Sequence, residues 1–247
     1  EYVGLNPPDV MLSNLDDETP GFLISAISGN LVEKGGSATF TVKMTSQPTS
    51  SVDIPLLVSD TSEATVAGDN ATHLSFTTSN WNADHVVTLS AVDDSESDGT
   101  QSFYVNLGAD NSTLDTSGYR GLDPQDVAAA TQDDESAGFL VSSVSGSVTE
   151  EGGQALFTVR LTSQPSGSVA LSVSSDNTSE ATVSPLTLTF TSTNWRSEQA
   201  IRVTGVDDDI SDGNSAFRIV LDNSSSTAAA EYVGLNPPDV MLSNLDD

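Results

Sequence analysis

Acidic residues are concentrated in three short segments that each recur along the chain. A single glutamate, Glu33 or Glu150, precedes a Gly-Gly pair in the turns VEKGG and TEEGG. The second segment reads VDDSESDG from Val92 and VDDDISDG from Val206. The third is the run Asp-Asp-Glu at residues 133–135. Carboxylates packed in this number repel one another unless a cation joins them, and Ca²⁺ takes roughly six to eight oxygen ligands in irregular geometry.

Other interpretations of these acids fit the pattern less well. A solvated surface explains a lone acidic cluster, but it does not explain three clusters repeated in register with two of them near a domain junction. Mg²⁺ demands a regular octahedron and retains its waters. The stretch from Asp94 to Gly99 resembles the opening of an EF-hand loop, yet the glutamate at the twelfth position and the flanking helices are missing.

The repetition extends over the whole chain of 247 residues. GFLISAISGN from Gly21 aligns with GFLVSSVSGS from Gly138, and the segments TSQP, SEATV and NW recur in the same order. Residues 1–17 and 231–247 are identical. A window cut from a tandem array explains this identity. We therefore expect residues 1–17 to be the last strand and acidic linker of a preceding repeat, followed by domains at residues 18–134 and 135–247.

Apolar residues alternate with polar ones in about seven short segments of each repeat, separated by turns rich in Gly, Pro, Ser, Asn and Asp. Phe40 and Val42 begin one such segment, and Phe157 and Val159 are their counterparts. Period-two alternation indicates half-buried strands. The sequence predicts an all-β fold of two tandem immunoglobulin-like, seven-strand β-sandwiches joined by short acidic linkers.

Overall charge limits the partners. Asp and Glu number 36 against 7 Lys and Arg, which gives a formal charge of −29. Such a chain repels nucleic acid and anionic membranes. No apolar run is long enough for membrane insertion, and no cysteine is present. His73 and His85 have no histidine counterpart in the other repeat, so we expect no enzyme activity.

Trp81 and Trp195 occupy the same slot of the two repeats, each after an asparagine and before a predicted strand. A pair of exposed tryptophans would suit stacking on sugar rings. A tryptophan that closes the hydrophobic core of each sandwich explains the shared slot better, so we expect both side chains in the core.

The VxExGG turn, the following Phe-Thr-Val strand, NW before a strand and the VDD–DG segment together resemble the Calx-beta repeats of sodium–calcium exchangers and large bacterial surface proteins. The resemblance covers both repeats and implies a calcium site at the C-terminal end of each sandwich. The ligands that it implies are Glu33, Asp93, Asp94, Asp98, Asp133 and Asp134 in the first domain, and Glu150, Asp207, Asp208, Asp212, Asp246 and Asp247 in the second. The linker departs from the family's three aspartates by ending in Glu135. The family's tightest sites add a ligand in the middle of the domain, and Glu63, Glu180 and Asp69 are the candidates for it here.

These observations predict part of a long stalk, adhesin or filament of a secreted bacterial protein, extracellular or on the cell surface, in which Ca²⁺ stiffens the junctions between domains. Its partners would be neighbouring repeats, including end-to-end self-association. A module that binds a glycan or a protein, or an accessory module of a secreted enzyme, is the alternative. We expect residues 9–14 to be disordered or to pair with another chain, and residues 133–135 to form the best-developed metal site.

Overall fold

The computed structural model of the chain describes residues 3–68, 71–109, 115–211, 213–223 and 227–246. In these residues nearly all regular structure is β-strand, and a single 3-10 turn spans Ala230–Tyr232. The described part holds no helix of the length and apolar character that a membrane crossing needs. The predicted all-β fold of tandem sandwiches is confirmed.

The first sandwich contains nine short strands. They join in the order β5-β7-β3-β2-β9-β8-β4-β6, with β1 paired to β3. Strict alternation along Val52–Val58 places Val52, Ile54 and Leu56 in the core, as the period of two predicts. The strands are β1 (Phe22–Ile24), β2 (Ser28–Val32), β3 (Ser37–Met44), β4 (Val52–Val58), β5 (Ala64–Ala67), β6 (His73–Phe76), β7 (His85–Ala91), β8 (Gln101–Leu107) and β9 (Val127–Gln132).

The second sandwich consists of two five-stranded sheets. One has the order β10-β13-β17-β15 with β11 paired to β13, and the other has the order β12-β19-β18-β14-β16. Phe157, Phe190, Ile201 and Phe217 fill the core between them. The strands are β10 (Phe139–Val141), β11 (Ser145–Gly146), β12 (Val148–Thr149), β13 (Gln154–Leu161), β14 (Val169–Ser175), β15 (Ala181–Ser184), β16 (Thr187–Phe190), β17 (Gln199–Gly205), β18 (Ser215–Asp222) and β19 (Val240–Leu245).

A glycine lies in the strand segment before each predicted glutamate, where that segment stops pairing with one neighbouring strand and begins to pair with another. Gly29 in β2 has φ +96°, and a Cβ there would lie 2.7 Å from the carbonyl oxygen of Ser37. Gly146 has φ +89°, and a Cβ there would lie even closer to the carbonyl oxygen of Gln154 than the Cβ at Gly29 to that of Ser37. Side chains other than hydrogen are excluded at both places. Consequently β2 pairs first with β3 and then with β9, whereas in the second repeat β11 and β12 divide the same two pairings.

A buried tyrosine ties the loop before the last strand of each sandwich to the opposite sheet. The Tyr119 hydroxyl donates to the carbonyl oxygen of Ser46 (3.0 Å) and accepts from the Ser46 amide (2.9 Å). Tyr232 makes the same pair of bonds with Ser163, at 2.8 and 3.2 Å. Both tyrosines are fully buried. Each tyrosine therefore joins two segments of its sandwich that are about 70 residues apart in the sequence.

The two tryptophans differ in burial. Trp195 is 9% exposed and belongs to the core of the second sandwich, which agrees with the core interpretation. Trp81 is only half-buried. It lines a surface cleft of the first sandwich with Gln47 and Thr49.

The chain separates into two compact units that do not coincide with the repeats. One unit comprises Glu1–Leu31, Ser37–Ser90 and Ser102–Ala129, and the other comprises Val32–Gly36, Ala91–Gln101 and Ala130–Asp247. The second unit therefore contains three segments of the first repeat in addition to the second sandwich. These three segments carry Glu33, the acids from Asp93 to Asp98, and the run at residues 133–135.

The two identical 17-residue segments have different structures. Residues 3–17 form no strand, and Val10, Met11 and Leu12 are each more than 80% exposed. In the second copy, residues 240–245, which correspond to residues 10–15, form strand β19. Identical sequence thus adopts two conformations, so tertiary pairing and not local preference decides whether this segment becomes a strand.

Candidate metal centre

Backbone pairing places Glu33 beside the linker acids within the second unit. Glu33 directly follows β2, and its amide donates to the carbonyl oxygen of Gln132, the last residue of β9 (3.1 Å). The next residue of that chain segment is Asp133. Glu33 itself is only 2% exposed. Pairing at the ends of two strands therefore brings together carboxylates that are 100 positions apart in the sequence.

Asp133 fixes the loop that follows β7. Its Oδ2 accepts a hydrogen bond from the amide of Gly99 (2.8 Å), and its Oδ1 accepts one from the amide of Glu135 (2.7 Å). Within the loop, Asp94 Oδ1 accepts from the amide of Glu96 (2.7 Å). These bonds hold the loop from Asp93 to Gly99 against the linker.

Two groups of three carboxylates result, and both include Glu135. Glu33, Asp133 and Glu135 offer one oxygen each within 4.8 Å of one another, and so do Asp93, Asp134 and Glu135. Oε2 of Glu135 is buried and makes no hydrogen bond with any of the described residues. A buried carboxylate oxygen is costly unless a donor or a cation contacts it.

The electrostatics of this group are unfavourable without a cation. Burial raises the pKa of Glu135, and the charges of Asp134, Asp133, Asp93 and Asp94 raise that pKa further. Burial also raises the pKa of Asp98, with smaller contributions from Asp94 and Asp133, although the hydrogen bond with Gln101 opposes the shift. Lys34 lies 3.4 Å from Asp134, but this lysine is 80% exposed. An exposed ion pair of that kind offsets little of the repulsion.

The second repeat forms the same backbone framework at its own acidic segments. The amide of Glu150 donates to the carbonyl oxygen of Leu245 (3.1 Å), and Glu150 is 2% exposed. Asp246 Oδ2 accepts from the amide of Gly213 (3.1 Å), as Asp133 does from Gly99. Asp208 Oδ1 accepts from the amide of Ile210 (2.8 Å). Asp207, Asp208 and Asp246 line one cleft.

The structure thus brings together only part of each predicted ligand set. In the first set Glu33, Asp93, Asp133 and Asp134 contribute to the two groups of three, whereas Asp94 and Asp98 stand beside them as charged neighbours. In the second set Asp212 and Asp247 lie outside the described residues. Sequence reasoning left out Glu135, although the Asp-Asp-Glu run was the visible signal for it.

The candidates for a further mid-domain ligand have other positions. Oε2 of Glu180 accepts a hydrogen bond from the side-chain amide of Asn244 (3.3 Å), which also donates to the carbonyl oxygen of Val206 (3.0 Å). Glu63 is 6% exposed, and its side chain already interacts with another group of the protein. Asp69 lies outside the described residues. Glu180 therefore stabilises strand β19 through Asn244.

The linker acids at the start of the chain also form a group. Asp16, Asp17 and Glu18 offer one oxygen each within 4.8 Å, and all three are exposed. Hydrogen bonding with Asp16 and then with Asp17 raises the pKa of Glu18. Among the described residues no buried glutamate joins this group, whereas buried Glu33 joins the acids at residues 133–135.

The loop that carries Asp93, Asp94 and Asp98 also contacts the loop between β13 and β14, within the second unit. The amide of Gln164 donates to the carbonyl oxygen of Ser95 (2.6 Å). Its side-chain amide donates to Oε1 of Glu96 (2.9 Å). The acidic loop is therefore anchored on two sides, by Asp133 and by Gln164.

This donor set fits Ca²⁺ on chemical grounds. All of its donors are hard carboxylate oxygens, and they come from three separate segments of the chain. Ca²⁺ accepts such oxygens in irregular arrangements and with both one- and two-oxygen carboxylate contacts.

The fold and these acids define a class: tandem β-sandwiches in which each sandwich carries acidic segments at the end where its last strand exits. The model of the Calx-beta domain matches residues 16–136 and 131–247. The chain belongs to the Calx-beta family. A search of curated protein sequences found no significant match.

Among solved structures, the chain is similar to the calcium binding domain CBD12 of CALX1.1, with 16% identity, 78% of this chain and 76% of the other covered, and a TM-score of 0.33. It is also similar to CBD12 from CALX1.2, with 14% identity, 90% and 100% covered, and a TM-score of 0.35. Domains 5-6 of the S-layer protein SbsC match with 13% identity, 92% and 99% covered, and a TM-score of 0.27.

Proposed function

We propose that this chain is a structural segment of a long extracellular bacterial stalk, adhesin or filament, and that Ca²⁺ orders the connection between successive domains. The observation that carries the proposal is the position of Glu135. Its carboxylate is shared by two groups of three acids, and its buried Oε2 has no hydrogen-bond partner in the described part of the chain. The family to which the chain belongs supports the same ion.

Each residue has a defined part in this proposal. Glu33, Asp93, Asp133, Asp134 and Glu135 hold the ion, and Ca²⁺ supplies the positive charge that cancels their repulsion. Asp133 positions the loop through the amide of Gly99. The boundaries at residues 18–134 and 135–247 would place Glu135 at the start of the second domain, so one ion would bind residues from both sides of the linker.

A stiffer junction between domains then follows, because ion binding is thermodynamically linked to ordering of the linker. An ion that binds the ordered linker better than a disordered one shifts the population towards the ordered state by RT ln(1 + [Ca²⁺]/Kd). At a free concentration one hundred times Kd this amounts to about 2.7 kcal/mol. The same ion reduces the freedom of the linker, so repeats in an array would behave as a semi-rigid rod.

Isothermal titration and small-angle scattering of the whole chain test this function. We expect heat on addition of Ca²⁺, a rise in melting temperature, and a smaller spread of interatomic distances than in the presence of a chelator. Mg²⁺ at equal concentration is the control and should give a smaller effect. If millimolar Ca²⁺ produces neither heat nor a change in scattering, the proposed role is wrong.

A glycan-binding module is the second candidate, and the cleft beside Trp81 favours it. Half-buried Trp81 provides an aromatic face, and Gln47 and Thr49 provide polar groups beside it. Aromatic stacking with a few polar contacts is the usual composition of a small-ligand site. Glycan-array binding that is lost in Trp81→Ala, and that persists after chelation of Ca²⁺, would support this role over the structural one.

A further inference from the structure

The acidic loop of the first repeat makes a specific contact with the turn between β13 and β14, within the second unit. Glu96 and Gln164 form an isolated parallel β-bridge, and the amide of Gln164 donates to the carbonyl oxygen of Ser95 (2.6 Å). The side-chain amide of Gln164 donates to Oε1 of Glu96 (2.9 Å). The backbone part of this contact needs no particular side chain on the acidic loop. A loop of the same shape can therefore make it with another residue in place of Glu96.

The second repeat carries a loop with the same turn and an apolar residue at the corresponding position. Ile210 is the counterpart of Glu96, and its amide donates to Oδ1 of Asp208 (2.8 Å). The amide of Glu96 donates to Oδ1 of Asp94 in the same way (2.7 Å). Ile210 is 62% exposed. A single exposed isoleucine is ordinary on a protein surface, so its partner has to be inferred from the surface that this loop would meet.

The corresponding turn of the first repeat has a different pattern of hydrogen bonds. Gln47 is the counterpart of Gln164, and its side-chain amide donates to the carbonyl oxygen of Thr78 in its own sandwich (2.7 Å). Gln47 is exposed, whereas Gln164 is half-buried. In the described part of the chain the backbone amide of Gln47 makes no hydrogen bond. This turn thus offers the donor with which Gln164 holds the loop of the first repeat.

The tryptophan beside each turn differs in a matching way. In both repeats its carbonyl oxygen accepts from the last residue of the strand before the turn (3.0 and 2.9 Å). The guanidinium of Arg196 lies over the Trp195 ring, 4.7 Å from its centroid. In the first repeat the shorter Asn82 stands at this position, and Trp81 is only half-buried. The turn that receives polar Glu96 therefore lies beside a tryptophan covered by a cation, and the other turn lies beside a partly open aromatic face.

One aspartate relates this open face to Ile210. Ile210 and Asp246 line the same cleft, and Asp16 lines the cleft of Trp81 and Gln47. Asp16 and Asp246 hold the same position in the two identical 17-residue segments. Where one copy of the chain continues into the next, these two aspartates are a single residue. Ile210 of the first copy and Trp81 of the second then both adjoin it.

We propose that Ile210 of one copy packs into the Trp81 cleft of the following copy, while the carbonyl oxygen of Asp209 accepts from the amide of Gln47. This contact rests on the proposed function, since it joins successive copies in an array. Burial of the isoleucine against the aromatic ring removes apolar surface from water. The covalent link gives the loop a high effective concentration at the cleft, so a small contact suffices. Junctions then alternate along the array, polar through Glu96 within a copy and apolar through Ile210 between copies.

A polypeptide of two copies that share one 17-residue segment tests the contact, because it contains one junction of this second kind. Trp81→Phe is placed either in the first copy or in the second, so that a single Trp81 remains. Buried Trp195 contributes the same background in both versions. Quenching of fluorescence by acrylamide should be at least about twofold weaker for the Trp81 of the second copy, because a packed apolar neighbour keeps solvent from its ring.

Ile210→Ser provides a matched pair of variants. In the first copy it should raise the quenching of the second copy's Trp81 to the value of the first copy's Trp81. In the second copy, which no repeat follows in this polypeptide, it should leave that quenching unchanged. Equal quenching of the two Trp81 residues without this substitution, or no effect of the substitution in the first copy, would overturn the proposal.

A cross-link gives a second measurement that leaves Trp81 in place, and the chain contains no cysteine of its own. Ile210→Cys in the first copy and Gln47→Cys in the second reproduce the positions of the bridged pair Glu96 and Gln164. Residues paired in this way lie within disulfide range. Under mild oxidation the disulfide should form at least about tenfold faster than when the two substitutions are exchanged between the copies, since the effective concentration is then lost. Equal rates would count against the contact.

Calorimetric titration of the same polypeptide with Ca²⁺ separates this contact from the proposed function. Calcium binding without protection of the second copy's Trp81 refutes the contact and leaves the ion-ordered junction intact. Protection of that Trp81 without calcium binding supports the contact and refutes the role of the ion.

Discussion

Replacement of Glu135 by glutamine separates a calcium ligand from an ordinary structural acid. The change keeps the size of the side chain and removes its charge. If Glu135 is an ion ligand surrounded by other acids, the calcium-free protein should become more stable, whereas the calcium-bound protein should gain less stability from the ion. A hydrogen-bonded structural carboxylate would show the opposite sign in the absence of calcium.

The size of the first effect follows from the distances. Oxygens of Asp93, Asp134 and Glu135 lie within 4.8 Å of one another, and both aspartates are exposed. Two unit charges at that distance repel by about 1 kcal/mol in water-like surroundings. Loss of the repulsion from the two aspartates therefore stabilises the calcium-free variant by about 2 kcal/mol at low salt, and less as salt screens the charges.

The second effect concerns binding. Because Glu135 belongs to both groups of three acids, we expect its loss to weaken calcium binding by at least about tenfold, or 1.4 kcal/mol. Thermal unfolding with chelator and with saturating Ca²⁺, together with calorimetric titration, measures both effects. Each kilocalorie corresponds to a shift of roughly 4 °C, the value between those of 100-residue and 150-residue domains.

Asp123→Asn is the matched control. It removes one negative charge from an exposed position in the loop before β9, whereas the acidic run follows the other end of that strand. Six residues of strand separate the two ends by about 20 Å, beyond the Debye length at physiological salt. A Glu135→Gln variant that is less stable than the wild type without calcium, or that retains the full calcium-induced gain, would refute the reasoning.

Two further predictions concern parts of the fold away from the acids. Tyr232→Phe removes a buried hydroxyl that bonds to Ser163, so urea unfolding should show a loss of about 1–3 kcal/mol, and an unchanged midpoint would contradict a stabilising role of these hydrogen bonds. The second concerns pH: hydrogen bonds from the amide and side chain of Arg218 lower the pKa of Asp176 below its ordinary value of 3.8. The native state therefore binds fewer protons there than the unfolded chain, and the stability from Asp176 is present above about pH 3.8 and lost as pH falls through the lowered pKa. Asp176→Asn should flatten the stability profile below pH 4 in acid titrations, and an unaltered acid limb would count against this assignment.

Periodicity in the sequence predicted the long strands because their residues alternate without interruption. Phe40 and Val42 in β3 and Val52 and Ile54 in β4 are buried as expected. The short strands β1 and β5 have three and four residues, too few for a period of two to stand out from chance. Their formation depends on pairing with neighbours that are distant in sequence.

Repetition predicted which acids belong together, but it could not predict which side chains point inward. Glu135 is the partner common to both groups of three, and its counterpart Glu18 ends an identical Asp-Asp-Glu run that is wholly exposed, so the sequence alone did not distinguish the two glutamates. Tyr119 and Tyr232 were visible as a repeated Tyr-x-Gly-Leu pattern. Their role became clear only from the hydrogen bonds to Ser46 and Ser163, which join residues about 70 positions apart.

The parallel pairing of β12 with β19 has a consequence for a chain under tension. Val148 pairs with Asn244 and Thr149 with Leu245, and the amide of Glu150 adds a further bond to Leu245. In a parallel pair, the end where the chain enters β12 and the end where it leaves β19 lie at opposite ends of the ladder. A pull on the entering and leaving chain therefore slides the two strands along each other and strains all their hydrogen bonds at once. An antiparallel pair opened from one end would instead lose its bonds one at a time.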